Sequence, residues 1–291
     1  MPATKTLKDL TVADVITRYF NSQKGFVSEG TLEWYTYYLA PLKEQLGDKK
    51  VRLLKADDIR SLYHSIDPST HTPYTLFNFV RAWKRLFKWA TDEGLIKNNP
   101  ANKLRRPPVP KKSPSGILDD DLTKLFEVAR KSTKPKRDYA ILCFLVDTGA
   151  RLGGAASLLV DNLDLERRRA IVTEKGRGGK KERVVFFSQN TAEALKDWLN
   201  ERGLCEDKRV FLLKPYGIYQ LLRRLSIRAG VKGKWNPHAF RHAFARRLLA
   251  KGVSIGIVSH LMGHSSVNVT IDFYGRFSND ELQAIYDKVM E

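Results

Sequence analysis

The sequence predicts a mainly α-helical protein of two domains, with a small β-hairpin or sheet confined to the second domain. Apolar residues recur at helical spacing through most of the 291 residues. The signal for β-strands comes from the stretch between 164 and 187, which is rich in β-branched residues. A basic, proline-rich segment at 105–116 cannot form a regular element. We therefore expect a helical domain over 1–104, a linker over 105–116 and a second domain over 117–291.

The composition indicates a globular protein with a strongly basic surface. Hydrophobic residues make up 42% of the chain, and 51 Lys and Arg against 32 Asp and Glu give a formal net charge of +19. Such an excess favours a polyanionic partner, most often nucleic acid, with an anionic membrane as the lesser alternative. No apolar run has the length of a membrane span, and the first residues lack the apolar core of a signal peptide. We expect a soluble, cytoplasmic protein that associates with the nucleoid when bound to DNA.

The two cysteines exclude a disulfide framework or a zinc site built on cysteine spacing. Cys143 lies in an apolar run and is predicted to be a small buried side chain. Cys205 lies in a polar stretch, well separated from it.

Four helices are predicted in the first domain, and three have a clear start signal. Thr11 can cap the first helix, and Ser28 or Thr31 can cap the second. Thr72 is a cap for the fourth helix, and Pro73 occupies its first turn, where a proline costs no hydrogen bond.

The fourth helix carries a basic stripe, separate from its apolar face. Its members stand at i, i+3, i+4 and i+7, and they are Arg81, Lys84, Arg85 and Lys88. A solvated surface is the usual interpretation of such a run. Four cations with no acid among them repel one another, however, which favours contact with backbone phosphates. Further candidate DNA contacts are Arg105, Arg106, Arg177, Arg223 and Arg224. For the linker residues among them, a solvated segment is the alternative.

The second domain opens with helical signals that lead to an isolated arginine. Three aspartates at 119–121 favour a helix start, and Lys136 to Val146 is a strongly apolar helix that must be buried. Arg151 follows a glycine break directly after it. An arginine in apolar surroundings needs an anionic partner. An ion pair within the fold is one interpretation. Against it, the only carboxylates near Arg151 in the sequence are those of Asp147 and Asp161.

A short β-hairpin is predicted next. One strand includes 170–173, preceded by a turn at Asp164 and Leu165, and the other covers 183–187. Between them, 174–182 is a glycine-rich, cationic segment that we expect to form a mobile tip able to reach into a DNA groove. Lys175, at the edge of the strand, is the best placed of its cations.

The last third of the chain contains a group of chemically reactive side chains. His238 and Arg241 are three residues apart and share one face of a predicted helix. His264 follows a glycine, and Tyr274 stands ten residues after it. Beyond Tyr274, a short amphipathic helix is predicted over 278–291, which packs on its own domain or docks on a neighbouring subunit.

These residues suit attack on a phosphate diester. The transition state gathers negative charge on the non-bridging oxygens, so fixed cations must stand there. Arginine is always charged and binds phosphate in a bidentate manner, which makes Arg151 and Arg241 the candidate clamps. His238 and His264 would hydrogen-bond the phosphate, and His238 would also assist deprotonation of the nucleophile.

Tyr274 is the candidate nucleophile. Its phenol has an ordinary pKa of about 10, so its phosphate ester stays reactive enough for the reaction to be reversed. It would form a covalent 3′-phosphotyrosine, and Lys175 would protonate the leaving 5′ oxygen.

At these positions the chain resembles the tyrosine recombinases, the phage-integrase or Xer-like family. Residues 148–151 resemble the box of the first arginine, and Lys175 resembles the hairpin lysine. Residues 238–245 closely match the family's His-x-x-Arg helix, and 261–275 match its final box with the nucleophile.

The resemblance implies a fold and a reaction. A helical, SAM-like core-binding domain and a mainly helical catalytic domain would close as a C-shaped clamp around double-stranded DNA with paired inverted sites. Strand exchange would run through a Holliday junction in a homotetramer assembled on DNA from a protein that is a monomer when free. It would use no metal, ATP or other cofactor. Two features depart from the family pattern: Gly154 stands where an acidic residue is usual, and the hairpin is longer.

Three other functions compete with recombination. A type IB topoisomerase-like or resolving enzyme would use the same chemistry without exchange of partners. A catalytically silent DNA-binding protein would keep only the scaffold, and Gly154 is the feature in its favour. A phosphodiesterase that does not act on DNA would leave the basic helices without a purpose.

Overall fold

The computed structural model describes residues 9–109, 116–176 and 179–274, together with 283, 286, 287 and 290. At 175, 176 and 180 it describes the backbone alone. Arg177 and most of the predicted terminal helix at 278–291 therefore lie outside the described residues.

The polypeptide divides into two units, Met1–Lys111 and Lys112–Glu291. The division falls inside the predicted linker 105–116, and the finer domain bounds stay a prediction. The predicted class, mainly α-helical with a small sheet, is confirmed.

Four α-helices build the first unit. They are α1 (Val12–Gln23), α2 (Glu29–Leu46), α3 (Ala56–Ser65) and α4 (Pro73–Asp92). Thr11 caps α1 as predicted, since its side chain accepts from the Asp14 N–H while the Asp14 carboxylate accepts from the Thr11 N–H. Thr72 likewise caps α4 through the Thr75 N–H.

The core of the first unit forms around the apolar face of α4. Trp83, Leu86 and Phe87 are fully buried there. The indole N–H of Trp83 donates to the Tyr38 carbonyl of α2 at 2.8 Å, so this buried polar atom is satisfied. Trp83 is a core residue, as the helical pattern predicts.

The second unit contains the remaining elements of the described chain. Its helices are α5 (Asp119–Arg130), α6 (Pro135–Thr148), α7 (Leu152–Ala156), α8 (Gln189–Arg202), α9 (Pro215–Arg228), α10 (Pro237–Ala250), α11 (Ile255–Met262) and α12 (Val267–Tyr274). Its strands are β1 (Leu163–Asp164), β2 (Arg169–Gly176) and β3 (Gly179–Phe186).

Helix α6 is the centre of the second unit. Its residues from Ala140 to Val146, including Cys143, are all buried, and it packs against α5, α8 and α10. At its end, the Asp147 carboxylate accepts from the Ser188 N–H at 2.9 Å and from the Thr191 hydroxyl at 2.6 Å, at the start of α8. Arg247 of α10 donates to the Val146 carbonyl at 2.6 Å. The apolar helix thus fixes the position of the helix that carries His238 and Arg241.

The three strands form an antiparallel sheet in the order β1-β2-β3. Two predictions are corrected here. The segment around Asp164 is a separate strand paired with Arg169, and the described residues 174–176 and 179–182 are paired strand residues and not a loose tip. Glu174 pairs with Lys181, and the ladder continues to Gly176 and Gly179. Only two residues separate β2 from β3, so the backbone ladder extends well beyond the β-branched residues from which the strands were predicted.

No helix in the described part of the chain is both long enough and apolar enough to cross a membrane.

The buried face of α4 gives a stability prediction. Phe87→Ala should lower the free energy of unfolding by about 3–5 kcal/mol, because Phe87 is fully buried and its removal leaves a cavity. Phe26→Ala is the matched control, since Phe26 is 88% exposed and its loss should change the value by no more than about 0.5 kcal/mol. Urea denaturation followed by circular dichroism measures both. Equal losses would contradict the packing described for α4.

Candidate active site

The site lies where the end of α6, the start of α7, strand β2 and helices α10 to α12 meet. Gly149 caps α6 in the left-handed conformation with φ of 55°. A Cβ there would lie 2.5 Å from a ring carbon of Phe244, so no side chain fits. This sharp turn places Arg151 at the N-cap of α7, facing β2.

Arg151 is held by Glu174 of β2. Its backbone N–H donates to Glu174 Oε1 at 2.7 Å, and its guanidinium donates to Oε2 at 2.5 Å. The two carboxylates near it in the sequence have other roles. Asp147 accepts from the first turn of α8, and Asp161 pairs with Lys208 at 3.5 Å. The argument against an ion pair within the fold is therefore wrong, because the hairpin brings in a carboxylate from 23 positions away.

Glu174 also accepts from a second guanidinium, that of Arg183 in β3, at 3.0 Å. The Glu174 side chain is 4% exposed. Burial alone would raise its pKa. The charge of Arg183, the hydrogen bond from the Arg151 backbone and the hydrogen bond from the Arg183 side chain together outweigh burial and hold the pKa below its ordinary value. The buried group is therefore a carboxylate at neutral pH.

Arg241 of α10 is buried beneath the same site. It donates to the Gly149 carbonyl at 2.7 Å and to the Met262 carbonyl at the end of α11. Burial, and then the charge of Arg151, lower its pKa to about 9, so it stays protonated at neutral pH. The cluster formed by Arg151, Arg183 and Arg241 contains one carboxylate, Glu174, among the described residues. Its net positive charge favours an anionic ligand.

His238 is the second residue of α10, one turn before Arg241. Its side chain is exposed, and partial desolvation together with the charges of Arg241 and Arg151 lowers its pKa. The shift favours a neutral imidazole that can exchange a proton with a ligand bound to the cluster.

His264 follows Gly263, which ends α11 in the left-handed conformation with φ of 63°. Its Nδ1 lies 2.7 Å from the hydroxyl of the buried residue Thr270. Burial, followed by the charges of Arg241 and Arg151, lowers the pKa of His264 to about 4. It can therefore hydrogen-bond a ligand without adding a charge of its own.

Tyr274, the last residue of α12, is 4% exposed. Burial raises the pKa of its phenol to about 12, although the charges of Arg241 and Arg246 act in the opposite direction. The hydroxyl makes a short hydrogen bond with Nδ1 of His242. The nucleophile candidate is thus a protonated phenol with an imidazole already in contact.

His242 is a functional candidate that the sequence prediction missed. It lies on α10 one turn after His238, and the two ring centroids are 6.4 Å apart. Burial, and then the charges of His238 and Arg241, lower the pKa of His242 to about 4. The sequence spacing does indicate it, because His242 stands four residues after His238 and residues four apart share a helical face.

Lys175 occupies β2, next to Glu174 and opposite Lys180 in the ladder. Its side chain lies outside the described residues, so the role predicted for it stays a prediction.

A cavity of about 560 Å³ opens over the cluster. Its lining includes Arg151, Glu174, Arg183 and His264. The cavity thus exposes part of the positive cluster to a ligand. No group of three or more His, Cys, Asp or Glu side chains placed to hold a metal ion occurs in the described part of the chain.

The predicted DNA-contact residues are on the surface to different degrees. In the basic stripe, Lys84 donates to the Asn102 carbonyl at 2.9 Å, and Lys88 pairs with Asp92 at 3.1 Å. The stripe is therefore not free of acids, because a carboxylate one turn further along α4 neutralises its last member. Lys84 is half-buried, and the exposed members of the set are Arg81, Arg85, Lys88, Arg105, Arg106, Arg223 and Arg224.

Comparison with known proteins finds one family across most of the second unit. A model described as the phage integrase family matches residues 117–280. The tyrosine recombinase XerC of Alcanivorax borkumensis is 27% identical over 273 residues, covering 90% of this chain and 88% of that protein. The tyrosine recombinase XerA of Pyrococcus furiosus is 28% identical over 269 residues, covering 90% of this chain and 88% of that protein.

Solved structures share the fold. The Tn1549 transposon integrase in complex with transposon right-end DNA superposes with a TM-score of 0.77 at 18% identity, covering 97% of this chain and 100% of that one. A λ integrase dimer bound to a COC′ core site superposes with a TM-score of 0.75 at 18% identity, covering 94% of this chain and 80% of that one.

The depressed histidine pKa values predict how stability depends on pH. His242 and His264 titrate with a pKa of about 4 in the folded protein, against an ordinary value of about 6.5 when unfolded. Between these values the unfolded chain binds more protons, so stability should fall as pH drops from about 6.5 towards 4. The double variant His242→Asn/His264→Asn should lose part of this dependence. Urea midpoints at about pH 7 and about pH 5 measure it, and an equal slope in both proteins would contradict the buried, neutral histidines.

Proposed function

The chain belongs to the phage integrase family and is a tyrosine-type site-specific DNA recombinase, and we propose that Tyr274 is the nucleophile with which it cleaves DNA. One observation supports this most. The Tyr274 hydroxyl meets His242 on the helix that also carries His238 and Arg241.

We propose that the scissile phosphate binds over the arginine cluster. Arg151 and Arg241 would contact its non-bridging oxygens, and His264 would donate a further hydrogen bond as a neutral ring. The cluster's positive charge is only partly neutralised by Glu174, so the phosphate would complete the neutralisation. Since the extra charge of the transition state develops on those oxygens, the same contacts would strengthen as the reaction proceeds.

The phenol proton needs an acceptor, because the raised pKa of Tyr274 keeps it protonated. His242 is in contact with the hydroxyl, and His238 lies one turn away. Arriving phosphate brings negative charge beside both imidazoles and raises their proton affinity. We propose that this coupling transfers the proton only when DNA is bound. Lys175 is proposed to protonate the leaving 5′ oxygen.

The products of cleavage would be a 3′-phosphotyrosine and a free 5′ hydroxyl. Attack by the 5′ hydroxyl of a second strand would reverse the step and exchange partners through a Holliday junction. A homotetramer on DNA with paired inverted sites is the proposed assembly. One related solved structure is XerH, a site-specific recombinase, bound to a palindromic difH substrate, and another is a λ integrase dimer on a core site. We propose that the exposed basic residues of α4, the linker and α9 contact the DNA backbone.

Capture on a suicide substrate tests the nucleophile. Wild-type protein should give a covalent adduct with a nicked DNA site on a denaturing gel, and Tyr274→Phe should give none, because the attacking oxygen is removed. The DNA site for this substrate can be found by screening fragments of the DNA that flanks the gene for specific binding by the protein. An adduct from both proteins would assign the attack to another residue. Specific binding without an adduct from wild type would favour the silent DNA-binding protein.

His242→Gln tests the proton acceptor. With DNA saturating, it should slow adduct formation by about 10²–10⁴-fold, since a general base is lost while the phenol remains. His64→Gln, an exposed histidine of α3, is the control and should leave the rate unchanged. A wild-type rate for His242→Gln would mean that the contact with Tyr274 has no part in the reaction.

A further inference from the structure

The Glu174 side chain fills the space that a side chain at position 154 would need. Gly154 lies in the short helix α7, so its backbone is one that any residue adopts. A Cβ added there would lie 2.8 Å from Glu174 Cγ and 3.2 Å from its Oε1. A side chain at 154 therefore cannot coexist with the present position of the Glu174 carboxylate. The glycine is required for this close approach and not for its backbone conformation.

The carboxylate that fills this space makes the contacts that fix Arg151. It accepts from the backbone N–H and the guanidinium of that residue, so both the turn and the side chain are held. It also accepts from Arg183, whose guanidinium donates to the Leu261 carbonyl just before His264. A Cβ at Gly263 would lie 2.6 Å from Arg183 Cδ. The Arg183 side chain is therefore packed against Gly263 as closely as the Glu174 side chain is packed against Gly154. One carboxylate thus links α7, β3 and the end of α11.

We propose that Glu174 is the positioning residue that aims Arg151 at the scissile phosphate, and that Gly154 is the space that admits it. The inference rests on the proposed role of Arg151 as a phosphate ligand. In this account the acidic residue expected at 154 has not been lost, because a strand residue supplies the same group from the opposite side of the space. One carboxylate is sufficient there, and a second would crowd the first and neutralise the charge that attracts phosphate.

Reciprocal substitution tests this proposal. Four variants are needed: Glu174→Ala, Gly154→Asp, the double variant Gly154→Asp/Glu174→Ala, and the control Glu127→Ala, which changes an exposed glutamate of α5 outside the cavity lining. Each is measured for the rate of covalent adduct formation at saturating DNA, for DNA affinity and for thermal unfolding.

Glu174→Ala should slow adduct formation by about 100-fold, because a misplaced phosphate ligand affects the reacting geometry. Its affinity for DNA should change little, since the proposed backbone contacts of α4, the linker and α9 do not involve Glu174. Gly154→Asp alone should also be slow, because two carboxylates then compete for one space. The double variant should recover at least about tenfold of the rate lost in Glu174→Ala, because one carboxylate again faces Arg151. Glu127→Ala should behave as wild type.

Two results would overturn the proposal. One is a folded Glu174→Ala that forms adduct at the wild-type rate. The other is a folded double variant no faster than the single. If Glu174→Ala fails to fold, recovery of both folding and adduct in the double variant supports the exchange, and failure of the double rejects it. Wild-type protein run beside Tyr274→Phe distinguishes failure of the proposed function from failure of the role proposed for Glu174. Without a Tyr274-dependent adduct the proposed function falls and this inference with it, whereas a normal wild-type adduct leaves Glu174 alone in question.

Discussion

The site depends on two ion pairs, which the buried Glu174 carboxylate makes with Arg151 and with Arg183. Burying guanidinium groups costs free energy unless an anion compensates them. Here the compensation is partial, since Arg241 adds a third charge that is held by the carbonyls of Gly149 and Met262 and by no carboxylate described nearby. The fold thus maintains a positive site that a phosphate can complete. Burial, and then nearby positive charges such as that of Arg241, lower the pKa of His242 and His264 to about 4 and keep both histidines neutral.

The rest of the second unit serves to hold that cluster together. The apolar helix α6 anchors α8 through Asp147 and α10 through its Val146 carbonyl. Its glycine cap then turns the chain towards β2. Because α10 carries both Arg241 and His242, one helix fixes the proposed phosphate ligand and the partner of Tyr274 at once. The geometry proposed for catalysis is therefore a consequence of core packing.

Much of this was predictable from the sequence, for reasons that differ between elements. The helices of the first unit follow from caps such as Thr11 and Thr72 and from apolar periodicity, which are local signals. The partner of Arg151 was not predictable, because Glu174 reaches it through strand pairing across 23 residues. The extent of the hairpin was also missed, since the register carries pairing into cationic residues of low strand propensity. His242 could have been found from its spacing, but its contact with Tyr274 depends on how α12 packs.

A structure of the Tyr274→Phe protein bound to its DNA site tests the central claim most directly, because cleavage is blocked while the phosphate is in place. We expect one backbone phosphate within about 3 Å of the guanidiniums of Arg151 and Arg241 and of the imidazole of His264. The ring at 274 should lie beside that phosphate, and Glu174 should still hold Arg151. A phosphate bound away from the arginine cluster, or a cluster left without any phosphate, would contradict it.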